Sequence, residues 1–501
     1  MELNSLIKLL NPRTVSGQLN RKITGIAYDS RRVMPGMLFV ALNGLNTDGH
    51  NYIADAVERG AICVVCERNG FVSPKATKII VDDTRDALAK IATAYYKNPS
   101  SKLKVIGVTG TNGKTTVAFM IKAILDAAGL DCGLIGTVRY EIGDRVIPAW
   151  RTTPESLELQ DMLNQMVNAG CKAAVMEVSS HALDQKRVLG VEFDAVVFTN
   201  LTQDHLDYHQ NMENYFEAKK KLFQPIQSPS KKPMAIINID DAYGERMFKE
   251  SDLAIKISYG LKDEATIRAT DIKMTQKGMN FTVNFPGTKF DCQLGLIGRY
   301  NIYNALAATG VSYGLKVPTD TIKTAFLNLP PVPGRLEMID VGQPFMVVVD
   351  YAHTDDALKN VLTSLRELTT GRILLTFGCG GSRDTTKRYK MGKVAAQMAD
   401  YTIITTDNPR KEAPEKITSQ IVEGFVSQRT DGFIIQLDRK RAIREIISMA
   451  KPGDTVLIAG KGHETYQEFE DTIIPFDDRI YARETLENLG YNQQLRSKVK
   501  V

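Results

Sequence analysis

Short apolar runs, rich in β-branched residues, alternate with helical periodicities along most of the chain after residue 100. The runs are KVIGV (104–108), AAVMEV (173–178), AVVFTN (195–200), MAIINI (234–239), FMVVVDY (345–351), RILLTFG (372–378), YTIITTD (401–407) and TVLIAG (455–460). This alternation predicts parallel sheets flanked by helices, in two successive α/β domains. Polar or glycine-rich residues directly follow all of these runs except 234–239. Because ligands bind beyond the carboxyl ends of parallel strands, the pattern places the candidate chemistry there.

The chain has 501 residues, which is too long for one hydrophobic core. Two interruptions of periodicity divide it. ATAYYKNPSSKLK (92–104) ends a helical pattern near residue 100, and NLPPVPGR (328–335) precedes a new strand pattern. We therefore predict three domains, at residues 1–100, 101–331 and 332–501.

The composition is that of a globular protein, with 43% hydrophobic and 24% charged residues. No apolar stretch approaches the roughly 20 residues that span a bilayer, and the N-terminus lacks the features of a signal peptide, so we expect a cytoplasmic protein. The net charge of +5 is mild and no long basic block occurs, which argues against nucleic-acid binding and is compatible with an acidic small substrate. Cys63 and Cys66 lie in an apolar run without a second pair, so buried thiols are expected rather than a zinc site.

The stretch IGVTGTNGKTTVAFMI (106–121) joins a predicted strand to a predicted helix through a glycine-rich loop. Apolar residues on one face of that helix extend toward Gly129; they are Val117, Met120, Ile121, Ile124 and Leu125. Such a loop offers backbone N–H groups and the positive end of a helix dipole to phosphates. Lys114 would reach the outer phosphates and Thr115 or Thr116 would reach Mg²⁺. The loop therefore predicts a nucleoside-triphosphate site.

The loop departs from the general P-loop, because Val108 stands where that motif has glycine. Its shorter form, Gly110 to Thr115, is similar to that of Mur ligases and folylpolyglutamate synthetases. Other stretches resemble the Mur ligase family in order and spacing: YDSRRVMPGMLFVALNG (28–44), TTPES (152–156), MEVSSHALDQKR (176–187), NLTQDHLDYH (200–209), YFEAKKKLF (215–223), GRYNIYNALAA (298–308), VPGRLE (332–337), VVDYAHTDDAL (348–358), FGCGGSRDTTKR (377–388), DNPRKE (407–412) and AGKGHETYQ (459–467). The resemblance covers nearly the whole chain and is to the branch that adds the third amino acid to the UDP-MurNAc peptide.

The resemblance implies an α/β fold of three domains: a UDP-binding N-terminal domain, a central P-loop ATPase domain with a mostly parallel sheet, and a C-terminal Rossmann-like domain that closes over the acceptor. It also implies a mechanism. ATP phosphorylates the terminal carboxylate of UDP-MurNAc-L-Ala-D-Glu, and an incoming amine attacks the acyl phosphate to form an amide. Since the reacting groups are mostly anions, cations such as Lys114 and Mg²⁺ would stabilise the charge that develops.

The resemblance further implies that Lys114, Glu177, His205 and Lys219 serve catalysis. Thr115, Glu177, His205 and a Lys219 that CO₂ has carbamylated would hold Mg²⁺. From the residues alone, a glutamate that interrupts an apolar strand end is seldom without a role, whereas a lone histidine in a polar loop is usually only solvated. Three consecutive lysines on a helix would ordinarily be a solvated face, so the choice of Lys219 depends on the family motif.

The resemblance assigns the substrate contacts as three sets. Residues expected to bind ATP are Gly110, Thr111, Asn112, Gly113, Lys114, Thr115, Thr116, Asn301, Asn304, Arg335, Asp350 and His353. Residues expected to bind the UDP-MurNAc-dipeptide are Ser30, Thr152, Thr153, Ser179, Gln185 and Arg187. Residues expected to bind the incoming meso-diaminopimelate are Arg383, Asp407, Asn408, Pro409, Arg410, Gly460 and Glu464. Two structural alternatives stay open: Asn301 could cap a helix, and Arg410 could pair within its own loop.

The choice of meso-diaminopimelate over L-lysine depends on Arg410, because a guanidinium can hold a second carboxylate through two parallel hydrogen bonds. The alternatives are an L-lysine-adding enzyme, another Mur or folylpolyglutamate-type ligase, and a non-catalytic ATP-binding scaffold, which should have lost Lys114, Glu177 or Lys219. We expect a monomer whose partners are its small substrates, with no nucleic acid or membrane. Three positions depart from the family pattern without touching the predicted chemistry; they are Gln203 for arginine, Asp355 for proline and Ser382 for aspartate.

Overall fold

The computed structural model describes residues 1–44, 47–70, 73–224 and 231–491, which form three larger sheets, a hairpin and the helices packed on them. All eight apolar runs that alternate with helical periodicity form strands, as predicted. The mixed α/β fold class is therefore confirmed.

The N-terminal sheet has the order β1-β5-β4-β3-β2 and is parallel except for β1, which pairs antiparallel with β5. Its strands are β1 (Thr14–Ser16), β2 (Ile26–Ala27), β3 (Leu38–Val40), β4 (Cys63–Cys66) and β5 (Thr77–Ile80). Its helices are α1 (Asn4–Leu10), α2 (Ile53–Glu58) and α3 (Thr84–Tyr95). The two cysteines of β4 are free and buried, which confirms the prediction of buried thiols.

The central sheet has the order β16-β15-β14-β13-β12-β11-β6-β10-β7-β8-β9. Its strands are β6 (Lys104–Thr109), β7 (Cys132–Ile135), β8 (Arg139–Ile142), β9 (Arg145–Pro148), β10 (Ala173–Glu177), β11 (Ala195–Phe198), β12 (Met234–Asn238), β13 (Ile255–Gly260), β14 (Ile267–Thr275), β15 (Gly278–Phe285) and β16 (Thr288–Leu294). Its helices are α4 (Lys114–Ala127), α5 (Ser156–Asn168), α6 (Ser180–Asp184), α7 (Leu206–His209), α8 (Met212–Lys220), α9 (Ala242–Glu250), α10 (Tyr300–Gly314) and α11 (Thr319–Leu327).

Strand β6 lies in the middle of the central sheet, between β11 and β10, and is parallel to both. Its successive side chains enter two different cores: Val105 packs on one face of the sheet, whereas Ile106 and Val108 pack on the other against α4. A strand buried on both faces reads as a continuous apolar run, as this one does. The loop after β6 is consequently flanked by the carboxyl ends of two neighbouring strands.

The C-terminal sheet has the order β17-β18-β22-β19-β20-β21 and is parallel except for β17. Its strands are β17 (Glu337–Met338), β18 (Met346–Asp350), β19 (Ile373–Phe377), β20 (Tyr401–Ile404), β21 (Phe433–Ile435) and β22 (Thr455–Ala459), and a separate hairpin consists of β23 (Tyr466–Phe469) and β24 (Thr472–Pro475). Its helices are α12 (Asp355–Arg366), α13 (Thr386–Met398), α14 (Pro414–Val426), α15 (Arg439–Ser448) and α16 (Asp478–Asn488).

Side chains join the region after residue 335 to the central sheet. The Asn112 amide donates to the Asp356 carboxylate over 3.0 Å, and Arg335 donates to the Thr115 hydroxyl over 3.2 Å. The carboxyl ends of β6 and β18 therefore face one another across a cleft, and many of the predicted site residues lie along it.

Candidate active site

The loop after β6 wraps around the start of α4 and is tied to the end of β11. The backbone N–H groups of Thr111 and Asn112 donate to the backbone and side-chain oxygens of Asn200, both over 2.9 Å. Gly110 and Gly113 have φ values of +145° and +87°, and a Cβ atom on either would collide with a neighbouring residue. Glycine is therefore required at both turns.

Lys114, the first residue of α4, folds back over this loop. Its ammonium donates to the carbonyl oxygens of Gly110 and Thr111 over 3.0 and 2.8 Å. Burial lowers the pKa of Lys114, and Glu177 and Asp204 partly oppose this effect. In the described part of the chain Lys114 has no carboxylate within ion-pair distance, so its charge is available to an anionic ligand.

Two cavities lie at the cleft, and residues of the loop line the smaller one. The smaller, of about 340 Å³, is lined by polar and aromatic side chains; they include Asn112, Thr115, Thr116, Asn238, Tyr259, Tyr300, Tyr303, Asn304, Arg335, Asp350, Asp356 and Asn360. The larger, of about 950 Å³, extends between the central and C-terminal sheets; its lining includes Thr137, Trp150, Thr152, His181, Asp204, His205, Tyr351, His353, Arg383, Lys387, Asp407, Asn408, Arg410, Gly460, His463, Glu464 and Arg479. The cleft thus contains a smaller cavity beside the loop and a larger one between the two sheets.

Glu177 ends β10 next to the loop and is 1% exposed. One of its oxygens accepts from the backbone N–H of Thr137 over 2.7 Å, and the other accepts from the hydroxyls of Thr115 and Thr137 over 3.0 and 2.9 Å. Glu177 makes no ion pair within the described residues, so its oxygens are available to a metal cation. Glu177 and Thr115 are thus brought together, as predicted.

Lys219 differs from the two lysines that follow it. Lys220 pairs with Glu250 and Lys221 pairs with Asp184, whereas Lys219 is 1% exposed and makes no ion pair within the described residues. Burial, together with the nearby Lys114 cation, lowers the pKa of Lys219 well below its usual value. The alternative of a solvated lysine face is therefore wrong for Lys219, because its position on α8 turns it toward Gly110.

His205 lines the larger cavity and has a left-handed backbone with φ +54°. Its Nε2 lies 3.5 Å from the Asp204 carboxylate. Burial lowers the pKa of His205 to about 3, although Asp204 opposes the shift. The imidazole is consequently neutral near pH 7, although 43% of the side chain is exposed.

Three of the residues predicted to bind the dipeptide lie close to the end of β10 and to α6. Thr153 donates to the Glu177 carbonyl, Ser179 caps α6, and Arg187 donates to the Thr153 carbonyl over 2.9 Å. Arg187 also lies 2.9 Å from Glu155, so its guanidinium has a carboxylate partner in this state.

The remaining members of the dipeptide set are spread more widely. Thr152 lines the larger cavity. Gln185 accepts a hydrogen bond from Arg187 over 2.6 Å. Ser30 lies apart, buried in a short 3₁₀ helix that follows β2, and it lines neither cavity.

The residues predicted to bind nucleotide divide between the two cavities. Asn304, Arg335 and Asp350 line the smaller one, whereas His353 lines the larger one. Asn301 lies behind Asn304, accepts its amide hydrogen bond over 2.8 Å, and donates to the Ile297 carbonyl. Helix α10 begins after Arg299 without a side-chain cap, so the alternative that Asn301 caps it is wrong.

The loops predicted to bind the incoming amino acid converge at one end of the larger cavity. Asp407, Asn408 and Arg410 follow β20, Gly460 and Glu464 follow β22, and Arg383 follows β19; all of them line the cavity, and Pro409 is buried beside them. The Asn408 amide donates to Glu464 over 2.9 Å. Arg410 donates to Glu468 over 2.8 Å and to the Gly381 carbonyl over 3.0 Å, so it pairs with other segments rather than within its own loop, and it also lines the cavity.

Several residues near the site were missed by the sequence analysis. Lys461 is completely buried and donates to Asn408 over 3.0 Å and to Glu464 over 2.8 Å, which fixes both side chains. Lys387 and His463 line the larger cavity. Lys461 and His463 belong to the stretch AGKGHETYQ, and Lys387 to FGCGGSRDTTKR, so the quoted motifs contained the signal.

The three departures from the family pattern are accommodated locally. Asp355 begins α12, where an acidic side chain suits the helix dipole. Gln203 accepts from Lys390 over 2.9 Å. Ser382 has a left-handed backbone and donates its N–H to Glu412.

Two kinds of feature are absent from the described residues. No helix there is long and apolar enough to cross a membrane. In the same residues, no group of three or more histidine, cysteine, aspartate or glutamate side chains forms a ready-made metal site.

Three family models match successive parts of the chain. They are "Mur ligase family, catalytic domain" at residues 22–96, "Mur ligase middle domain" at 108–312, and "Mur ligase, glutamate ligase domain" at 334–462. Together they cover most of the chain in the order of its three sheets.

Individual relatives extend over nearly the full length. Proteins named UDP-N-acetylmuramoyl-L-alanyl-D-glutamate–2,6-diaminopimelate ligase match from Caldanaerobacter subterraneus subsp. tengcongensis, at 45% identity over 97% of this chain and 99% of the relative, and from Syntrophomonas wolfei, at 44% identity over 97% and 99%. A solved structure of a ligase with that name matches with a TM-score of 0.70 and 30% identity, over 98% of this chain and 100% of the other.

Proposed function

Because the chain belongs to the Mur ligase family, we propose that it is an ATP-dependent ligase that joins meso-diaminopimelate to UDP-MurNAc-L-Ala-D-Glu. The observation that carries the proposal is the larger cavity. His205 and Arg410 both line it, so an activated carboxylate and an incoming amine can meet inside it. The product is a precursor of peptidoglycan.

The chemistry begins when the terminal D-glutamate carboxylate attacks the γ-phosphorus of ATP, which forms an acyl phosphate and releases ADP. The amine of diaminopimelate then attacks the acyl carbon, loses a proton, and displaces phosphate to form the amide. Negative charge develops on the transferred phosphoryl group in the first step, and on the acyl oxygen and the departing phosphate in the second. Lys114 and Arg335, together with the backbone N–H groups at the start of α4, supply positive charge and donors there.

The donors near the loop fit Mg²⁺. This ion prefers oxygen ligands, and the carboxylate of Glu177 and the hydroxyl of Thr115 lie side by side. The neutral imidazole of His205 is also able to bind a cation. When bound, Mg²⁺ neutralises phosphate charge and aligns the phosphoryl group with its acceptor.

We assign a carbamate to Lys219. Its neutral amine would add to CO₂, which forms an N–C bond, releases one proton and leaves an anionic oxygen donor. Three features support this assignment: complete burial, the absence of an ion pair within the described residues, and a pKa lowered well below its usual value. Its present partner, the Gly110 carbonyl, belongs to the phosphate loop.

The selectivity for diaminopimelate is assigned to the loop after β20. Arg410 would hold the distal carboxylate that lysine lacks, and Glu464, with Asn408 and Lys461 behind it, would receive an ammonium group. The side chains of Arg383 and Asp407 complete the lining at this end of the cavity.

We place the domain borders near residues 100 and 331, because each resulting unit contains one of the three larger sheets. We also place the protein in the cytoplasm as a monomer that acts on small molecules, without a nucleic-acid or membrane partner. Its mild net charge of +5 and the family's nucleotide-sugar substrates support this placement.

The test combines the protein with ATP, Mg²⁺, UDP-MurNAc-L-Ala-D-Glu and meso-diaminopimelate, and measures phosphate release and the mass of the nucleotide product. We expect the tripeptide product and one phosphate for each amide formed. Lys114→Ala should abolish both signals. Substantial ATP turnover without the dipeptide, or the absence of a tripeptide, would contradict the proposal.

A further inference from the structure

The β23–β24 hairpin holds the backbone of Arg410 from both sides. The Arg410 N–H donates to the Glu468 carbonyl over 3.0 Å, and the Glu470 N–H donates to the Arg410 carbonyl over 2.7 Å. Arg410 and Phe469 consequently form an isolated parallel bridge, and Arg410 adopts a left-handed φ of +52°. Main-chain bonds thus attach the acceptor loop to the hairpin, and the side chains of Gln467 and Asn408 add further bonds between them.

The guanidinium of Arg410 has two further contacts. Its Nε donates to the Glu468 carboxylate over 2.8 Å, and its Nη1 donates to the Gly381 carbonyl over 3.0 Å. The Gly381 N–H in turn donates to the Asn408 carbonyl over 2.9 Å. Among the described residues, Nη2 has no hydrogen-bond partner. The guanidinium is therefore fixed at Nε and Nη1, and Nη2 keeps its N–H donors free for a ligand.

The two partners lie differently with respect to the cavity. Arg410 lines it, whereas Glu468 does not and contacts the guanidinium at Nε. A carboxylate that needs two parallel hydrogen bonds requires a planar group that presents Nη1 and Nη2 at a fixed angle. A long arginine side chain without a second support would lose much rotamer freedom on binding.

We propose that Glu468 is a positioning residue, which aims the outer nitrogens of Arg410 into the cavity and thereby sets the preference for an amino acid with a second carboxylate. This inference rests on the proposed function of Arg410. Glu468 acts through Arg410 and does not touch the substrate. Because main-chain bonds already attach the hairpin to the loop, the side-chain pair is not needed to keep the hairpin in place.

The first test compares Glu468→Ala, Glu468→Gln and Asp471→Ala. We expect Glu468→Ala to raise the KM for meso-diaminopimelate about tenfold, because one charge-assisted hydrogen bond that orients the guanidinium is lost. The KM for ATP and the melting temperature should stay unchanged. Glu468→Gln keeps an oxygen that accepts from Nε and should retain most of the affinity. Asp471, an exposed carboxylate in the turn of the same hairpin, is the matched control and should have no effect.

A double-mutant cycle with Arg410→Ala separates positioning from a purely structural role. If Glu468 acts through Arg410, Glu468→Ala should have no further effect on the KM for meso-diaminopimelate in the Arg410→Ala background. Additive effects, or an equal loss of affinity for ATP, would overturn the inference. A wild-type enzyme that prefers diaminopimelate, loses that preference with Arg410→Ala and is indifferent to Glu468→Ala would overturn only this inference. A wild-type enzyme without the preference would instead overturn the proposed function.

Discussion

The buried Nζ of Lys219 lies 2.8 Å from the carbonyl oxygen of Gly110, the glycine that opens the phosphate loop. The contact joins two residues that are 109 positions apart in the chain, and it places a nitrogen with a lowered pKa directly beside the nucleotide site. A cation fixed there by burial would ordinarily be unfavourable. Conversion of the amine to a carbamate would remove that cation and supply an anionic ligand.

Lys219→Ala should therefore lose nearly all ligase activity, and a short-chain carboxylic acid should restore part of it by occupying the space of the carbamate. Phosphate release at increasing acid concentration measures the rescue. Lys221→Ala is the matched control, because that lysine pairs with Asp184 at the surface. A fully active Lys219→Ala variant would show that the assignment of the carbamate is wrong.

A buried ion pair supports the loop that carries Arg383. The fully buried guanidinium of Arg388 donates to both oxygens of Glu412 and to the Gly380 carbonyl. This pairing lowers the pKa of Glu412 to about 2, from an ordinary value near 4.5. Because the folded-state pKa is depressed, the stabilisation is complete above pH 4.5 and is lost as the pH falls toward 2.

Glu412→Gln should thus reduce the free energy of unfolding by about 3 kcal/mol at pH 7, since it leaves a buried arginine without its counter-ion. The difference from the unmutated protein should shrink as the pH falls below 4.5. Urea unfolding at several pH values measures both effects. A difference that stays constant from pH 7 to pH 3 would show that the carboxylate charge is not responsible.

Trp150 is the single tryptophan of the chain, lines the larger cavity and is 57% exposed. Binding of UDP-MurNAc-L-Ala-D-Glu should bury the indole and shift its fluorescence to shorter wavelength. ATP alone should cause no such shift, because Trp150 does not line the smaller cavity. Trp150→Ala should weaken dipeptide binding about tenfold. The same spectral shift with ATP alone would contradict the division between the two cavities.

The parallel strands and the phosphate loop could be predicted from the sequence because each signal is local. The run 104–108, the glycines and the apolar face of α4 are contiguous. The antiparallel pairs at both ends of the central sheet were not predicted, since strands such as β9 and β16 are partly exposed and lack continuous apolar runs. The choice of Lys219 came from the family motif, because helical periodicity alone does not distinguish it from Lys220.

Contacts between distant segments could not be read from the sequence. Glu468 lies 58 positions from Arg410, and its role depends on how the hairpin bends back over the loop after β20. The role of Asn301 could not be decided from the sequence either, because its position suited both a helix cap and a ligand contact. In the structure Arg299 precedes the first residue of α10, so Asn301 is not the cap.

The pairing of Arg410 with Glu468 limits the expected selectivity for diaminopimelate over lysine. If Arg410 had no other partner, bound lysine would leave its charge unpaired at a cost of several kcal/mol. Arg410 keeps the Glu468 carboxylate as a partner whichever of the two amino acids is bound. The advantage of diaminopimelate is then one charge-assisted contact of about 1.5 to 3 kcal/mol, or roughly tenfold to 150-fold.

The most direct measurement is the ratio of kcat/KM for meso-diaminopimelate to that for L-lysine, in the unmutated enzyme and in Arg410→Ala. We predict a ratio of about ten or more in the unmutated enzyme. Arg410→Ala should lower the ratio toward one through the loss of diaminopimelate activity, with an unchanged KM for ATP. Comparable kcat/KM values for the two amino acids in the unmutated enzyme would contradict the account.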